Sequence, residues 1–446
     1  MIRKILSRLR EEHFADLLRN SFSTFAVRIG GLIAGYLFTL MVSRLYGSDV
    51  LGAHIISVTV LMIFTVVGRM GMDFNIVKRF ANATQDNRWD LVHEIYRKTL
   101  FLIVPVGLIL TASFFFAAPM IAENLFHKPH LAPFLQIMAL AVLPMTLRFV
   151  NAECYRGFRM HRHYAYSQNV SYFLYATVIL GGMTLFSTDE LNPNIAFLVA
   201  LILLAVSSTL FIKKKITGHT LAISNEVTTG TLYRESLPMM LSGSMLLISG
   251  WINTLMLGVF ATDTEVGIYS VILKISALSM FMLMSINAVS APRYAQLYAA
   301  NDISGLKKYT RQAAAIIFYT SVPVFAGIIL LRHWLLGMFG EEFLAGSTAL
   351  LIMMAGQFCN VFAGSVGHFL NMTGHQHVFR NIVLTATLIN LILCALLIPA
   401  LGLIGSAIAG AMFMAVWNIA SMVYIHRKFG IRTYYLPFGN QAFRKK

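Results

Sequence analysis

The sequence predicts an all-α, polytopic membrane protein with about twelve transmembrane helices. Hydrophobic residues make up 57% of the 446 residues, and the mean hydropathy is +0.69. Charged residues make up only 12%, about half of the share that soluble domains use. Apolar runs of roughly 20 residues, the length that crosses the hydrocarbon of a bilayer, recur along the whole chain. Lipid must therefore be the solvent for most of the surface.

Twelve apolar runs have the length of a membrane span. In chain order they are 21–43, 52–70, 99–121, 131–150, 164–186, 195–212, 237–260, 266–290, 312–331, 345–370, 381–399 and 402–425. The region 119–131 and the start of the tenth run are less sharply defined. They leave counts of eleven and thirteen spans open.

The first twenty residues are too charged for a cleavable signal peptide, so we expect none. Basic residues and leucines near helical spacing predict an amphipathic helix on the inner membrane face, with a frayed, solvated terminus as the alternative. The predicted segments are an interfacial helix at 1–20, an N-lobe with spans 1–6 at 21–213, a cytoplasmic linker at 214–231, a C-lobe with spans 7–12 at 232–428 and a basic cytoplasmic tail at 429–446.

The lysine and arginine residues predict the orientation. With the N-terminus inside, only Arg44, Lys128 and Arg332 of the 35 fall in outer loops. Arg28 and Lys274 fall within spans, and the others lie in inner loops, tails or the inner ends of spans. This positive-inside bias predicts that both termini are cytoplasmic. The net charge of +16 therefore reflects topology and attraction to anionic lipids, and we expect no nucleic-acid partner.

Two short matches relate the halves of the chain. Leu51-Gly52-Ala53-His54 after span 1 parallels Val266-Gly267-Ile268-Tyr269 after span 7, at an offset of 215 residues. His161-Arg162-His163 parallels His375-Gln376-His377 at an offset of 214. Six spans in each half is an even number, so both halves have the same orientation. The pattern predicts a parallel repeat, an arrangement in which transporters bind substrate between the lobes.

Two cations inside predicted spans are the first candidates for a binding site. Arg28 lies in span 1 and Lys274 in span 8, and no Asp or Glu lies at mid-span. A charge at depth costs at least ~2.5 kcal/mol and usually marks a functional site. Both would suit pyrophosphate, which Arg grips with two hydrogen bonds and Lys attracts as a point charge. Alternatively, Arg28 extends to the inner surface and Lys274 pairs with a polar neighbour.

Further polar residues extend these candidates. Arg69 and Arg148, at the inner ends of spans 2 and 4, would widen a basic entrance for pyrophosphate, or serve only as topology charges. Polar stripes also follow one helical face of span 1 and one of span 7, and they would either line a cavity or bridge helices. These cavity-lining candidates are Thr24, Thr39, Ser242, Ser249 and Asn253.

No residue pattern indicates a metal, a cofactor or an enzyme. Cys154, Cys359 and Cys394 form no CxxC pair and are interpreted as small apolar residues. The two His-x-His pieces lack carboxylate or Cys partners, so we expect solvated loop histidines. A phosphate loop, GxSxG and HExxH are absent from the sequence. The short outer loops also leave little room for an external active site.

Several motifs occur in a characteristic order along the chain. They are Ser43-Arg44-Leu45-Tyr46-Gly47, Gly71 with Lys78-Arg79-Phe80-Ala81, Tyr155-Arg156-Gly157, Ser236-Leu237-Pro238, Val266-Gly267-Ile268-Tyr269 with Lys274, Pro292-Arg293-Tyr294, and Ile398-Pro399 followed by Leu401-Gly402. Over residues 21–428 the chain resembles the oligosaccharide and polysaccharide (Wzx-like) flippases of the multidrug/oligosaccharidyl-lipid/polysaccharide exporter superfamily. One departure is Asn253, where many relatives carry an acidic residue; ion coupling through span 7 is therefore in doubt.

The resemblance implies a MATE-like, V-shaped pair of six-helix lobes that works by alternating access. It implies a cargo of oligosaccharide linked to a polyprenyl diphosphate such as undecaprenyl diphosphate. The cargo would move from the inner to the outer leaflet of the bacterial cytoplasmic (inner) membrane, for surface polysaccharide or O-antigen biosynthesis. Partners would be this lipid-linked oligosaccharide, membrane lipids, and a polysaccharide polymerase with other glycan-assembly proteins.

Three alternatives stay open at this point. A MATE-like drug or metabolite antiporter is the nearest, although such exporters usually need a membrane carboxylate. A lipid II flippase is a closer relative in function, but those proteins generally carry more spans and more cavity arginines. From a different class, a membrane-embedded glycosyltransferase, polymerase or ligase would form a product from a lipid-linked donor.

Overall fold

The computed structural model of the protein describes the backbone of residues 2–219 and 226–435. Within those ranges it describes all side chains except those of 2–26, 28, 169, 238, 241–248 and 288. The described backbone is helical and contains no β-strand. The all-α class predicted from the sequence is therefore confirmed.

Sixteen α-helices follow one another within residues 2–219 and 226–435. The first eight are α1 (Ile2–Arg69), α2 (Met72–Gln85), α3 (Trp89–Met120), α4 (Leu131–Leu140), α5 (Val142–Gly157), α6 (His161–Ala165), α7 (Ser171–Met183) and α8 (Asn192–Thr217). The next eight are α9 (Thr229–Phe260), α10 (Asp263–Ala277), α11 (Phe281–Ala299), α12 (Ile303–Leu330), α13 (Arg332–Gly337), α14 (Ser347–Ala363), α15 (Val366–Met372) and α16 (Gln376–Phe429). Short π-helical turns at Ile121–Leu125 and Tyr166–Val170, and 3-10 turns at Leu278–Met280 and Glu341–Gly346, complete the set.

Among the described residues, seven helices are long and apolar enough to cross a membrane, or eight if the bent pair α4 and α5 is counted as one span. Both α1 and α16 contain two predicted spans, one on each side of a break at Gly47 and Gly402 respectively. The fifth predicted span corresponds to the shorter apolar helix α7, and the seventh to α9. The arrangement therefore fits the predicted twelve spans.

The break inside α16 is held by a carboxylate from another helix. Gly402 has a φ of 50°, in the left-handed region that favours glycine. The Glu265 carboxylate accepts a hydrogen bond from the Leu403 backbone N–H at 2.9 Å. Glu265 also forms a capping box with Thr262 at the start of α10. One side chain thus stabilises both the start of α10 and the exit from the break.

The chain divides into two compact units, Met1–Ile248 and Ser249–Lys446. Their hydrophobic cores are built from matching positions, each pair separated by 214 residues. Four such pairs are Phe80 and Tyr294, Ala83 and Leu297, Val92 and Leu306, and Tyr155 and Phe369. This offset is the one that relates the two His-x-His pieces. The internal repeat predicted from the sequence is thus visible in how each unit packs.

Matching helices also meet in both units. In the first unit, His54 Nδ1 of α1 lies 2.6 Å from Asn194 Oδ1 of α8. Tyr269 of α10 occupies the position that the sequence match assigns to His54. Its hydroxyl lies beside Gly410 of α16, where an added Cβ would be 3.3 Å away. His54 and Tyr269 lie in the second predicted span of their halves. Each of these polar side chains therefore contacts the last span of its own half.

The residues that flank 220–225 are held on the start of α3. His219 stacks on Trp89 with ring centroids 3.6 Å apart. On the other side, the Glu94 carboxylate accepts hydrogen bonds from the backbone N–H groups of Glu226 and Val227 at 3.1 and 3.3 Å. The linker residues on both sides of 220–225 therefore pack on α3 of the first unit. Residues 220–225 of that linker and 436–446 of the predicted tail lie outside the described residues, as do the side chains of the predicted interfacial helix.

Replacing Gly402 by Ala should destabilise the protein by about 1–3 kcal/mol, because the new Cβ would be strained at a positive φ and would collide with the Glu265 carboxylate. Thermal unfolding of purified protein in detergent would measure this effect. The matched control is Gly182→Ala in α7, where no atom lies within 4 Å of an added Cβ. The control should unfold at the wild-type temperature or slightly above it. Equal melting temperatures for Gly402→Ala and wild type would contradict the described break.

Candidate functional site

Two of the predicted pyrophosphate-binding cations meet in the first unit, at the end of α1 that leads into α2. Arg69 is the last residue of α1, and Arg148 lies in the middle of α5. Their guanidinium carbons lie 4.5 and 4.3 Å from the centroid of the same Phe149 ring. The aromatic face partly offsets the loss of water around each cation. Two positive charges are thereby concentrated around one side chain.

The Arg148 side chain is buried, with a relative exposure of 2%. Its Nη1 donates to the Ser167 carbonyl oxygen at 2.7 Å, and its Nε lies 3.4 Å from Met145 Sδ. A second ring, that of Tyr172, lies 4.7 Å from the guanidinium carbon. These contacts tie α5 to the π-helical turn that precedes α7. In this conformation Arg148 is a packing residue as well as a cation.

Arg69 has a carboxylate partner across a sharp break in the chain. Its Nη1 lies 2.7 Å from Asp73 Oδ2, and both side chains are largely buried. Met70 and Gly71 between them have φ values of 51° and 73°, so the chain turns and Asp73 enters the first turn of α2. The N-terminal amides of a helix favour a negative charge there. The pair is nevertheless incompletely satisfied: among the described residues, Arg69 Nε and Asp73 Oδ1 are buried without a hydrogen-bond partner.

The first turns of α9 pack on this break. A Cβ at Gly71 would collide with the backbone oxygen of Ser236, so only glycine allows α9 this close. Asn75 Nδ2 donates to Ser236 Oγ at 3.0 Å. Arg79 Nη2 lies 2.8 Å from Glu235 Oε2, and this hydrogen bond lowers the pKa of the Glu235 carboxyl. The part of α9 around Glu235 and Ser236 is thus fixed beside the turn that follows Arg69.

Of the remaining candidate cations and hydroxyls outside the span 7 stripe, the structure describes the side chains of Lys274 and Thr39. Lys274 lies in the last turn of α10 and is half-buried. Thr39 is buried and donates to the Gly35 carbonyl of its own helix at 2.9 Å. The side chains of Arg28, Thr24 and Ser242 lie outside the described residues. A contact of any of these side chains with substrate therefore stays a prediction.

The polar stripe of span 7 is used to bridge helices in this conformation. Asn253 Nδ2 donates to the Ser406 carbonyl at 3.0 Å, and its Oδ1 accepts from Asn390 Nδ2 at 2.7 Å. The hydroxyls of Ser249 and Thr387 are 2.8 Å apart. These contacts join α9 to both segments of α16. Of the two interpretations left open by the sequence, the contacts favour the bridging one in this state.

The histidine pieces show aromatic packing. His163 is exposed, but its ring lies 5.5 Å from that of Phe211. His375 is half-buried and packs 5.2 Å from Phe429, so it differs from the solvated loop residue that the sequence predicted. The described residues contain no group of three or more His, Cys, Asp or Glu that could hold a metal. His163 and His375 therefore contribute to aromatic packing in their units.

Sequence reasoning missed three parts of the cluster: Phe149 as the shared ring, Asp73 as the partner of Arg69, and Ser236 as the contact for Gly71. The spacing of Arg69 and Asp73 around a glycine was a usable signal. A short polar pair that flanks a helix break can close on itself. The position of Phe149 between two cations had no local signal, since Arg69 is distant in sequence.

The chain matches the family described as polysaccharide biosynthesis protein over residues 17–298. It belongs to this family. A second match, to the MatE family, covers residues 238–396. The family predicted from the sequence motifs is confirmed.

Two curated relatives come from Haloferax volcanii. The probable low-salt glycan biosynthesis flippase Agl15 is 23% identical over 190 residues, which are 42% of this chain and 40% of that protein. The probable flippase AglR is 25% identical over 176 residues, which are 39% of this chain and 37% of that protein. The aligned regions thus span about two fifths of each relative.

Solved structures share the whole fold at low identity. An inward-facing multidrug resistance MATE family transporter of the MOP superfamily aligns with a TM-score of 0.69 at 14% identity, over 92% of this chain and 98% of that one. The lipid II flippase MurJ in an inward closed conformation aligns with a TM-score of 0.70 at 16% identity, over 92% and 87%. The chain is therefore a multi-pass membrane protein with the fold of this superfamily, as predicted.

Replacing Arg148 by Ala should lower the stability by about 2 kcal/mol or more, because it opens a cavity beside Phe149 and removes the shorter of two hydrogen bonds to the Ser167 carbonyl. Thermal unfolding in detergent checks this. Arg97→Ala is the control, since Arg97 is an exposed arginine on α3. If both variants melt like the wild type, the guanidinium does not hold α5 to the turn before α7.

Proposed function

We propose that the protein is a flippase that moves a polyprenyl-diphosphate-linked oligosaccharide from the inner to the outer leaflet of the cytoplasmic membrane, and that it makes or breaks no covalent bond. The observation that carries this proposal is the pair of guanidinium groups around Phe149, in a member of the polysaccharide biosynthesis protein family. The contacts described for Arg148 are a carbonyl, a thioether and two rings, with no carboxylate. A desolvated cation with such partners attracts an anion.

A diphosphate is the anionic group that such a lipid carrier offers. Guanidinium groups bind phosphate oxygens through two parallel hydrogen bonds, and an ammonium acts as a point charge. We assign the first contact with the diphosphate to Arg69 and Arg148, with Arg28 further along span 1. Lys274 is the corresponding contact in the second unit. The sugars would pass polar side chains while the lipid tail stays in the bilayer, and transport would follow alternating access.

The finer proposal concerns carrier, compartment and partners. The distribution of Lys and Arg supports cytoplasmic termini. We propose undecaprenyl diphosphate as the carrier, a bacterial inner membrane as the location, and a surface polysaccharide such as O-antigen as the product. A polysaccharide polymerase would then receive the cargo. The description of both curated relatives as probable flippases, one of them for glycan biosynthesis, supports the substrate class.

One observation favours a second candidate, a drug or metabolite antiporter. Residues 238–396 match the MatE family, and a multidrug transporter shares the fold. An antiporter for cationic drugs usually needs a carboxylate within the membrane. The predicted spans carry no Asp or Glu at mid-span. The charge of the candidate site therefore favours an anionic cargo.

Native mass spectrometry of protein purified gently from its host membranes tests the proposal. We expect a bound species with the mass of a polyprenyl diphosphate plus sugars, which also identifies carrier and glycan. Mixing with an extract of lipid-linked glycans should increase this species. Binding of phospholipids alone, before and after mixing, would support the antiporter instead.

Substitutions of the two cations within the spans should abolish most transport. In proteoliposomes with a fluorescent lipid-linked saccharide, Arg28→Ala and Lys274→Ala should each slow transfer at least about tenfold, because each removes a phosphate contact worth ~1.4 kcal/mol or more. Arg28→Lys should also be impaired if the contact is bidentate. Arg97→Ala is the matched surface control and should transport normally. Normal transfer by both single variants and by the double variant would remove these residues from the mechanism.

A further inference from the structure

The Arg69–Asp73 pair has features that a purely structural ion pair does not need. Arg69 is 9% exposed and Asp73 is 5% exposed, so both charges are largely removed from water. A single contact joins them, from Arg69 Nη1 to Asp73 Oδ2 at 2.7 Å. Arg69 Nε and Asp73 Oδ1 are buried without a hydrogen-bond partner among the described residues. Because a donor and an acceptor stay unused, the attraction between the two buried charges offsets only part of the cost of removing them from water.

Another polar atom without a hydrogen-bond partner among the described residues lies beside Gly68, the residue that precedes Arg69. Thr146 Oγ1 is a third buried polar atom without a described partner, and it lies beside Gly68, where an added Cβ would be 2.9 Å away. A phosphate group has three acceptor oxygens, so it can receive hydrogen bonds from Nη1 and Nε of one guanidinium and from a hydroxyl. Asp73 uses only one of these donors. A phosphate at Arg69 would therefore satisfy atoms that the carboxylate leaves unpaired.

We propose that Asp73 is a built-in counter-anion for Arg69, which holds the guanidinium when cargo is absent and is displaced by the diphosphate of an arriving cargo. This inference rests on the proposed function and adds a regulation to its site. The sharp turn at Met70 and Gly71 places the carboxylate opposite the guanidinium, where it blocks the position that a phosphate would take. The same carboxylate returns to Arg69 when cargo leaves, so it competes with the diphosphate for the guanidinium.

The charges around Asp73 decide what happens to the displaced carboxylate. Arg69 faces it from α1, and the Arg148 and Glu153 side chains lie nearby on α5. From the other helices that pack on α2, Glu235 of α9 is held by Arg79, and Glu94 of α3 is held by Lys98. Arg148, the other cation of the cluster, is held by the Ser167 carbonyl and by the rings of Phe149 and Tyr172. A displaced Asp73 would remain buried near a second carboxylate, which favours its protonated form.

The direction of the pH effect follows from this. Burial raises the pKa of the Asp73 carboxyl above its ordinary value, and the Arg69 charge and the backbone N–H groups of Phe74 and Asp73 oppose that rise only in part. When a phosphate takes Arg69, the share of this opposition that Arg69 supplies is lost, the pKa of Asp73 rises further, and the carboxylate takes up a proton from water. By linkage, a lower pH neutralises Asp73, frees Arg69 and strengthens diphosphate binding. The effect is lost as pH rises through the pKa of Asp73.

The test is diphosphate affinity as a function of pH. The probe is geranylgeranyl diphosphate, with the uncharged alcohol geranylgeraniol as its control, bound to the full-length protein in nanodiscs. At about pH 8, Asp73→Asn should bind the diphosphate about tenfold more tightly than the wild type. As the pH falls through the raised pKa of Asp73, the wild type should approach the variant, because the carboxylate becomes neutral. The variant reports the pH dependence of the probe itself, so the difference between the two curves isolates Asp73.

Three further variants define the outcome. Asp73→Ser keeps a short polar residue in the first turn of α2 and should bind like Asp73→Asn, which covers a folding defect in either one. Asp86→Asn is the matched control, an exposed carboxyl at the C-terminal end of α2, and should keep the wild-type difference. Arg69→Gln should weaken binding and remove the pH difference.

Two results would overturn the inference in distinguishable ways. Equal affinities of wild type, Asp73→Asn and Asp73→Ser at every pH, with diphosphate still preferred over the alcohol, would refute the counter-anion and leave the flippase proposal standing. A wild type that binds both probes equally would refute the proposed function, and the counter-anion with it.

Discussion

Every part of this protein depends on one constraint, the need to pair backbone hydrogen-bond groups inside hydrocarbon. A helix satisfies this need within itself, which is why the described chain consists of long helices. The helices are interrupted at few places, and those places are where other groups can act. At Gly402 the Glu265 carboxylate takes a backbone N–H after the break. At Met70 and Gly71 the interruption presents Arg69 and Asp73 to each other.

Buried polar side chains also need hydrogen-bond partners, and an asparagine in each unit obtains them in a similar way. Asn194 in the first unit contacts His54, Ser57 and a backbone carbonyl. Asn253 in the second unit contacts Asn390 and a backbone carbonyl. Each amide uses donor and acceptor together, so little desolvation remains uncompensated. Duplication of one six-span unit would account for this similarity and for the paired core positions.

The buried arginines, unlike the buried asparagines, have incompletely matched partners. Arg148 meets a carbonyl and aromatic faces, which stabilise a positive charge without neutralising it. Arg69 is neutralised, but by one contact that leaves atoms on both partners unpaired. If these charges served only the stability of the first unit, apolar residues could replace them with little loss of folding free energy. Retaining them is consistent with a site that receives an anion and releases it again.

The sequence by itself determined the membrane class, the approximate span count, the orientation expected for the termini and the family. These follow from hydropathy, from the distribution of charges and from local motifs, all of which are properties of short segments. It also picked out Arg69 and Arg148, because cations at the inner ends of spans are visible along the chain. Only the tertiary structure decided that these two share Phe149, that Asp73 closes on Arg69, and that Asn253 bridges helices. Those contacts depend on how the helices pack and on one left-handed turn. Local sequence patterns do not specify the distance between side chains on different helices.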